Sequence, residues 1–129
     1  MNQLTYSFHH ALIIDDSKED IFILKDVLTS HQFAEYISSF DNSVSAFNFL
    51  KKCKPFPDVI FIDINMPGIN GFQFIKRFMN EFSAPTKFVI TSCSDDQKDI
   101  DMSSTLGNVI HYFTKPISMN NVGLLIEGK

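Results

Sequence analysis

Residues 59–68 read Val-Ile-Phe-Ile-Asp-Ile-Asn-Met-Pro-Gly, "VIFIDINMPG". Four consecutive apolar residues run into one carboxylate, Asp63, and a Pro-Gly turn follows. A continuously apolar, β-branched run bounded by Pro57 predicts a strand buried on both faces, as in a parallel sheet. A carboxylate at the end of such a strand is costly unless something pairs with it. The rest of the chain can be searched for that partner.

Outward from this strand, apolar runs alternate with segments of helical period. "HALII" (residues 10–14) predicts a first strand, directly before Asp15-Asp16. Ile21, Leu24 and Leu28 then recur at helical spacing between Ser17 and about Ser30. Ser17 with Asp20 three residues on resembles a capping box with Asp in place of Glu. "EYISSF" (35–40) alternates as a strand does, and residues 42–54 place Ala46, Phe47 and Leu50 on one helical face. A helix follows Asn70-Gly71, carrying Phe72, Ile75 and Phe78 or Met79. "KFVIT" (87–91) predicts another strand. Ser94 with Gln97 predicts the cap of a helix over about 95–106, ended by Gly107. "VIHYF" (109–113) predicts a fifth strand, and Lys115-Pro116 precedes a short last helix from about Ser118.

Five βα units with short connections predict a doubly wound α/β domain, a parallel sheet with helices on both faces. The 129 residues fit one domain, 1–129, able to bury a core without disulfides. Apolar residues make up 44% and charged residues 20%, with 14 Phe and no Trp. The formal charge of −4 argues against a nucleic-acid partner. No run is long enough to span a membrane. The start, "MNQLTYSFHH", lacks the pattern of a signal peptide. Cys53 and Cys93 have no motif spacing and read as reduced thiols, so a cytoplasmic location is expected.

In open α/β sheets the functional crevice lies beyond the carboxyl ends of the strands. Asp15-Asp16 end the first strand, Asp63 the third and Thr91-Ser92 the fourth, and Lys115 follows the fifth. Three carboxylates converging there repel one another. A hard divalent cation suits them, and Mg²⁺ suits a site that keeps several waters. Lys115 adds a compact positive charge. Each element alone has a plainer reading. Asp15-Asp16 would be a helix cap, Pro67-Gly68 a turn, Thr91 a strand residue and Lys115-Pro116 a loop. Their joint placement at the strand ends gives them meaning. His9 and His10 are expected to be exposed near the N-terminus, His31 to lie at a helix end, and His111 to be structural. Cys93 reads as a partly buried bystander.

The pattern resembles the receiver domain of two-component response regulators over nearly the whole chain. The acidic pair matches Asp15 and Asp16, and the phosphoacceptor before an "xxMPxxxG" turn matches Asp63 in "INMPGING". The Thr or Ser of the fourth strand matches Thr91, the Lys-Pro pair Lys115-Pro116, and an aromatic switch residue Tyr112. The resemblance implies a flavodoxin-like (βα)5 three-layer sandwich with strand order 2-1-3-4-5. It implies a non-enzyme signalling protein that accepts a phosphoryl group on Asp63 from a sensor histidine kinase, a phosphotransfer protein or a small phosphodonor. Mg²⁺, with Mn²⁺ as an alternative, would be held by Asp15, Asp16, Asp63 and the Asn65 main-chain carbonyl. Lys115, the Thr91 hydroxyl and the Ser92 N–H would bind phosphoryl oxygens. Thr91 and Tyr112 would carry the switch to the face of the fourth helix, fifth strand and fifth helix, where a downstream protein docks. A cis peptide before Pro116 is common in the family. Asn65 and Cys93 occupy two positions that tune such sites.

Residues 1–129 are expected to hold a receiver and no output domain, either as a stand-alone receiver or as part of a larger regulator. Three other readings compete. A pseudo-receiver would keep the fold and act as an interaction module without phosphorylation, but the acidic pair, Asp63, Thr91 and Lys115 are all present. A haloacid-dehalogenase-type phosphatase needs a second Asp where Asn65 stands. A flavin-binding flavodoxin-like protein needs a phosphate-cradling loop where Asp15-Asp16 stand.

Overall fold

The computed structural model describes residues 5–128. The first four residues, which open the stretch examined for a leader, and residue 129 lie outside the described residues. The described residues form β1 (Phe8–Ile14), α1 (Lys18–Ser30), β2 (Ala34–Phe40), α2 (Ser43–Lys52), β3 (Val59–Asp63), α3 (Gly71–Glu81), β4 (Lys87–Ser92), α4 (Gln97–Ser104), β5 (Val109–Thr114) and α5 (Met119–Glu127). The strands make one parallel sheet in the order β2-β1-β3-β4-β5, as the resemblance implied. All five residues of β3 are buried, which accounts for its unbroken apolar run.

Successive side chains of a strand face opposite sides, and the core divides accordingly. Leu12, Ile14, Ile60, Ile62, Phe88 and Ile90 meet Ala46, Phe47 and Leu50 of α2 and Phe74, Ile75 and Phe78 of α3. On the other face, Ala11, Ile13, Val59, Phe61 and Val89 meet Leu24 and Leu28 of α1 and Val122 and Leu125 of α5. Helices therefore cover both faces, and β3 lies at the centre with Asp63 at its carboxyl end.

Local details depart from the sequence reading at several points. The fourth helix is shorter than expected, and Ser94 with Gln97 does not cap it. Ser94 Oγ instead accepts the Asp96 N–H, and Asp96 caps the helix by accepting from the Lys98 N–H. Asn70 with Gln73 forms a reciprocal capping box, as does Ser118 with Asn121. Ser17 caps α1 by accepting the Asp20 N–H. The expected box is only half made there, because Asp15 Oδ1 accepts the Ser17 N–H and the Asp20 carboxylate turns elsewhere. His10 is not exposed: β1 begins at Phe8, so His10 is 9% exposed and its Nε2 lies 2.9 Å from Ser38 Oγ. Cys93 is exposed rather than partly buried. The Lys115-Pro116 peptide is cis, and so is Lys54-Pro55.

Candidate functional site at the carboxyl edge of the sheet

The site is assembled by register. Asp63 stands beside Thr91 across β3 and β4, and Thr91 beside Phe113 across β4 and β5. Asp15 follows β1 directly, and its N–H is held by the Phe40 carbonyl. Lys115 follows β5, and its N–H bonds to the Ser92 carbonyl at 2.7 Å. Parallel strands of similar length thus bring residues from four places in the chain to one edge.

Lys115 is the hub. Its ammonium lies 2.7 Å from Asp15 Oδ2, 3.0 Å from Asp63 Oδ2 and 2.9 Å from Asp20 Oδ2. The other oxygens of the two buried acids take backbone donors. Asp15 Oδ1 accepts from the Ser17 N–H, and Asp63 Oδ1 from the Asn65 N–H, each at 2.9 Å. Asp15 and Asp63 are almost wholly buried, whereas Asp16 is exposed. Carboxylate oxygens of Asp15, Asp16 and Asp63 lie within 4.8 Å of one another. That oxygen-only set, open to water at Asp16, fits a hard divalent cation that retains part of its hydration.

Electrostatics point the same way. Burial alone would push Lys115 down, but its hydrogen bonds to Asp15, Asp20 and Asp63 outweigh this and raise its pKa above the ordinary lysine value. Burial pushes Asp15 up despite the Lys115 hydrogen bond. The two directions are compatible, because one ammonium is shared among three carboxylates and compensates none of them fully. With Asp16 counted, four carboxylates face one ammonium, and a cation would relieve the excess.

Around this centre, Asn65 Nδ2 donates to Ser92 Oγ at 3.2 Å, and Ser92 Oγ also accepts from the Ser94 N–H. The half-buried Tyr112 sends its hydroxyl to the Ser94 carbonyl at 2.7 Å, which ties β5 to the loop after β4. Asp15, Asp16, Asp63, Asn65, Thr91, Ser92 and Lys115 thus lie together at this edge, whereas Tyr112 stands beside Ile90 within the sheet and reaches the loop only with its hydroxyl. Asp20 was missed as a site residue because its place three after Ser17 reads as a cap. Gly71 gains a physical meaning: a Cβ there would stand 2.7 Å from the Asp63 carbonyl oxygen and 2.8 Å from Ile64 Cα. Its N–H bonds to the Ile64 carbonyl, so α3 starts hard against the residue that ends β3.

The model of the response regulator receiver domain matches residues 11–127. The chain belongs to that family. This receiver is 32% identical over 108 residues to a protein-glutamate methylesterase/protein-glutamine glutaminase of Sulfurimonas denitrificans, covering 84% of this chain and 30% of that protein. A second protein of the same name from Vibrio vulnificus is 31% identical over 115 residues, 89% of this chain and 32% of that protein. The chain thus spans about a third of the length of these curated relatives. Among solved structures, a two component response regulator from Cytophaga hutchinsonii aligns with a TM-score of 0.83 at 27% identity, covering 95% of this chain and 98% of that one. A Mn²⁺-bound response regulator shares the fold, with a TM-score of 0.74 at 21% identity over 93% of this chain and 90% of that one. The family is a signalling module of two-component systems. No helix among the described residues is long and apolar enough to cross a membrane.

Proposed function

We propose that this receiver accepts a phosphoryl group on Asp63 from the phosphohistidine of a sensor kinase, from a phosphotransfer protein or from a small phosphodonor. An Asp63 carboxylate oxygen attacks phosphorus. The P–N bond to the donor imidazole, or the P–O bond of an acyl phosphate, breaks, and the donor departs with the electron pair. The observation that carries this reading is the Lys115 ammonium seated on Asp63 and Asp15 beside an oxygen-only acidic cluster.

Such transfer is mostly positioning and charge neutralisation. Asp15, Asp16, Asp63 and the Asn65 main-chain carbonyl would hold Mg²⁺, with Mn²⁺ as an alternative. When bound, the cation supplies charge neutralisation between the carboxylates and the phosphoryl oxygens. Lys115 donates to a phosphoryl oxygen in place of Asp63 Oδ2. The Thr91 hydroxyl and the Ser92 N–H serve another oxygen. The chain would then act as a phosphoacceptor, catalysing only its own phosphorylation and dephosphorylation. We read all 129 residues as one receiver domain, working in the cytoplasm through protein contacts. The methylesterase named for its curated relatives is those proteins' own.

The new group adds roughly −1.5 to −2 charge. Thr91 moves toward it, Tyr112 turns inward behind Thr91, and the face of α4, β5 and α5 changes its preference for a downstream protein. This is a shift between two existing populations.

The test is incubation with Mg²⁺ and acetyl phosphate, read by intact mass. Wild type gains one phosphoryl group and Asp63→Asn gains none. No adduct on wild type would favour the pseudo-receiver instead.

A further inference from the structure

We infer that Asp20 is a positioning residue for the reaction, the carboxylate that keeps Lys115 aimed at Asp63 while its two other acceptors are drawn into different bonds. This rests on the phosphoacceptor reading above.

An ammonium has three N–H donors. The Lys115 ammonium donates to Asp20 Oδ2 and Asp63 Oδ2 and is ion-paired with Asp15 Oδ2 at 2.7 Å. Two of these acceptors have other work to do. Asp15 and Asp63 belong to the cluster whose oxygens crowd within 4.8 Å, and Asp20 does not. A divalent cation would draw charge from Asp15 and Asp63, and a phosphoryl group would occupy Asp63. Each event weakens a bond to Lys115. Lys115 lies on a flexible four-carbon stem, and Asp20 is the acceptor left to restrain it.

The local chain explains why Asp20 is free for this. It is the third residue of α1, where an acid ordinarily reaches back to the N-cap N–H. That N–H, of Ser17, is already taken by Asp15 Oδ1. The Asp20 carboxylate turns toward the cleft instead. On its inner side, a pocket of about 20 Å³ is walled by Ile23, Leu24, Pro116 and Ile117, together with Asp15, Thr91 and Lys115. The Lys115 end of the pair is shielded from water, which strengthens a charge-assisted hydrogen bond. The Asp20 side chain remains 35% exposed, while Lys115 is only 10% exposed.

Asp20 has a second effect on the same atoms. Its negative charge offsets part of the ammonium's charge beside Asp15 and Asp63, so a cation meets less repulsion there. Asp20→Asn keeps the size and removes the charge, so it should slow phosphorylation and weaken cation binding together.

The experiment compares wild type, Asp20→Asn and Asp20→Glu with acetyl phosphate at saturating Mg²⁺. In parallel, the Lys115 ammonium is followed by ¹⁵N NMR and Mn²⁺ affinity by titration. In Asp20→Asn the phosphorylation rate should fall about tenfold, less than the ~10²–10³ that follows complete loss of one stabilising donor. The Lys115 ammonium resonance, sharp in wild type, should broaden through solvent exchange, and Mn²⁺ should bind severalfold more weakly. Asp20→Glu should restore part of each. A purely structural cap would lower thermal stability and leave the rate at saturating cation unchanged. A wild-type rate in Asp20→Asn with an unchanged Lys115 resonance overturns the inference and leaves the phosphoacceptor reading standing. No adduct on wild type overturns both.

Discussion

At the scale of the residue, charge placement decides the behaviour of this protein. Asp63 is tolerable at the end of an apolar strand because Lys115 lies 3.0 Å away and the Asn65 N–H serves its other oxygen. Two positions are expected to tune such a site, Asn65 and Cys93. Asn65 is tied to Ser92 Oγ, whereas Cys93 is exposed and offers only a weak donor to a hydrolytic water. Cys93→Glu should therefore change the lifetime of the phosphoryl group, measured by its decay after the donor is removed; an unaltered decay rate would exclude a timing role for this position. His10 gives a second prediction. Burial, then the neighbouring His9, lowers its pKa, with Asp58 opposing. A depressed folded-state value means the neutral ring is favoured on folding. Its stabilisation is thus present above the ordinary value of about 6.5 and is lost as the pH falls through the depressed value. Melting temperature should drop between pH 7 and pH 5, and less steeply in His10→Gln. Equal slopes would place the acid sensitivity elsewhere.

At the scale of the element, strand ends and helix starts are matched to one another. Strand β3 ends on Asp63, and the chain turns through Met66-Pro67-Gly68, with Gly68 at φ 79°, where glycine alone is unstrained. It then enters α3 through the Asn70–Gln73 capping box. Gly71 begins that helix because no side chain fits between it and the Asp63 carbonyl. Gly71→Ala must push α3 away from β3, and overpacking of this kind costs about 1–3 kcal/mol. Urea unfolding should show that loss, and the mass assay should show slower phosphorylation, because Asp63 shifts with its carbonyl. A variant of full stability and rate would mean that the close approach is unimportant. The capping residues show how local sequence can mislead. Ser94 and Gln97 have cap spacing, yet Asp96 accepts from the Lys98 N–H and Ser94 serves the turn before it. Ser17 and Asp20 also have cap spacing, yet the cleft recruits the second of them.

At the scale of the molecule, one parallel sheet with helices on both faces brings Asp15, Asp63, Thr91 and Lys115 to a single edge. On the proposed reading, Thr91 and Tyr112 would carry the signal from that edge to the surface of α4, β5 and α5. The Tyr112 hydroxyl holds the Ser94 carbonyl, a contact that the proposed inward turn of the ring would change. Beryllofluoride, a phosphoryl mimic, should shift the Tyr112 ring resonances in wild type but not in Thr91→Ala; a full shift in that variant would break the proposed coupling. Much of this was legible in one dimension. The buried apolar run before Asp63 and the alternation of strand and helix periods depend on neighbours a few residues apart. They determined the α/β class and the order of elements, and the motif residues marked the edge where Asp15, Asp63, Thr91 and Lys115 meet. Other features belong to three dimensions. His10 reads as a terminal residue until β1 extends to Phe8 and β2 packs beside it. The Asp20 carboxylate reads as a cap until Lys115, 95 residues later, arrives from β5. Local propensity is set by adjacent residues, so sequence determined the elements. The partners of a charge depend on which distant strands share an edge, so the division of one ammonium among three carboxylates was decided only by tertiary structure.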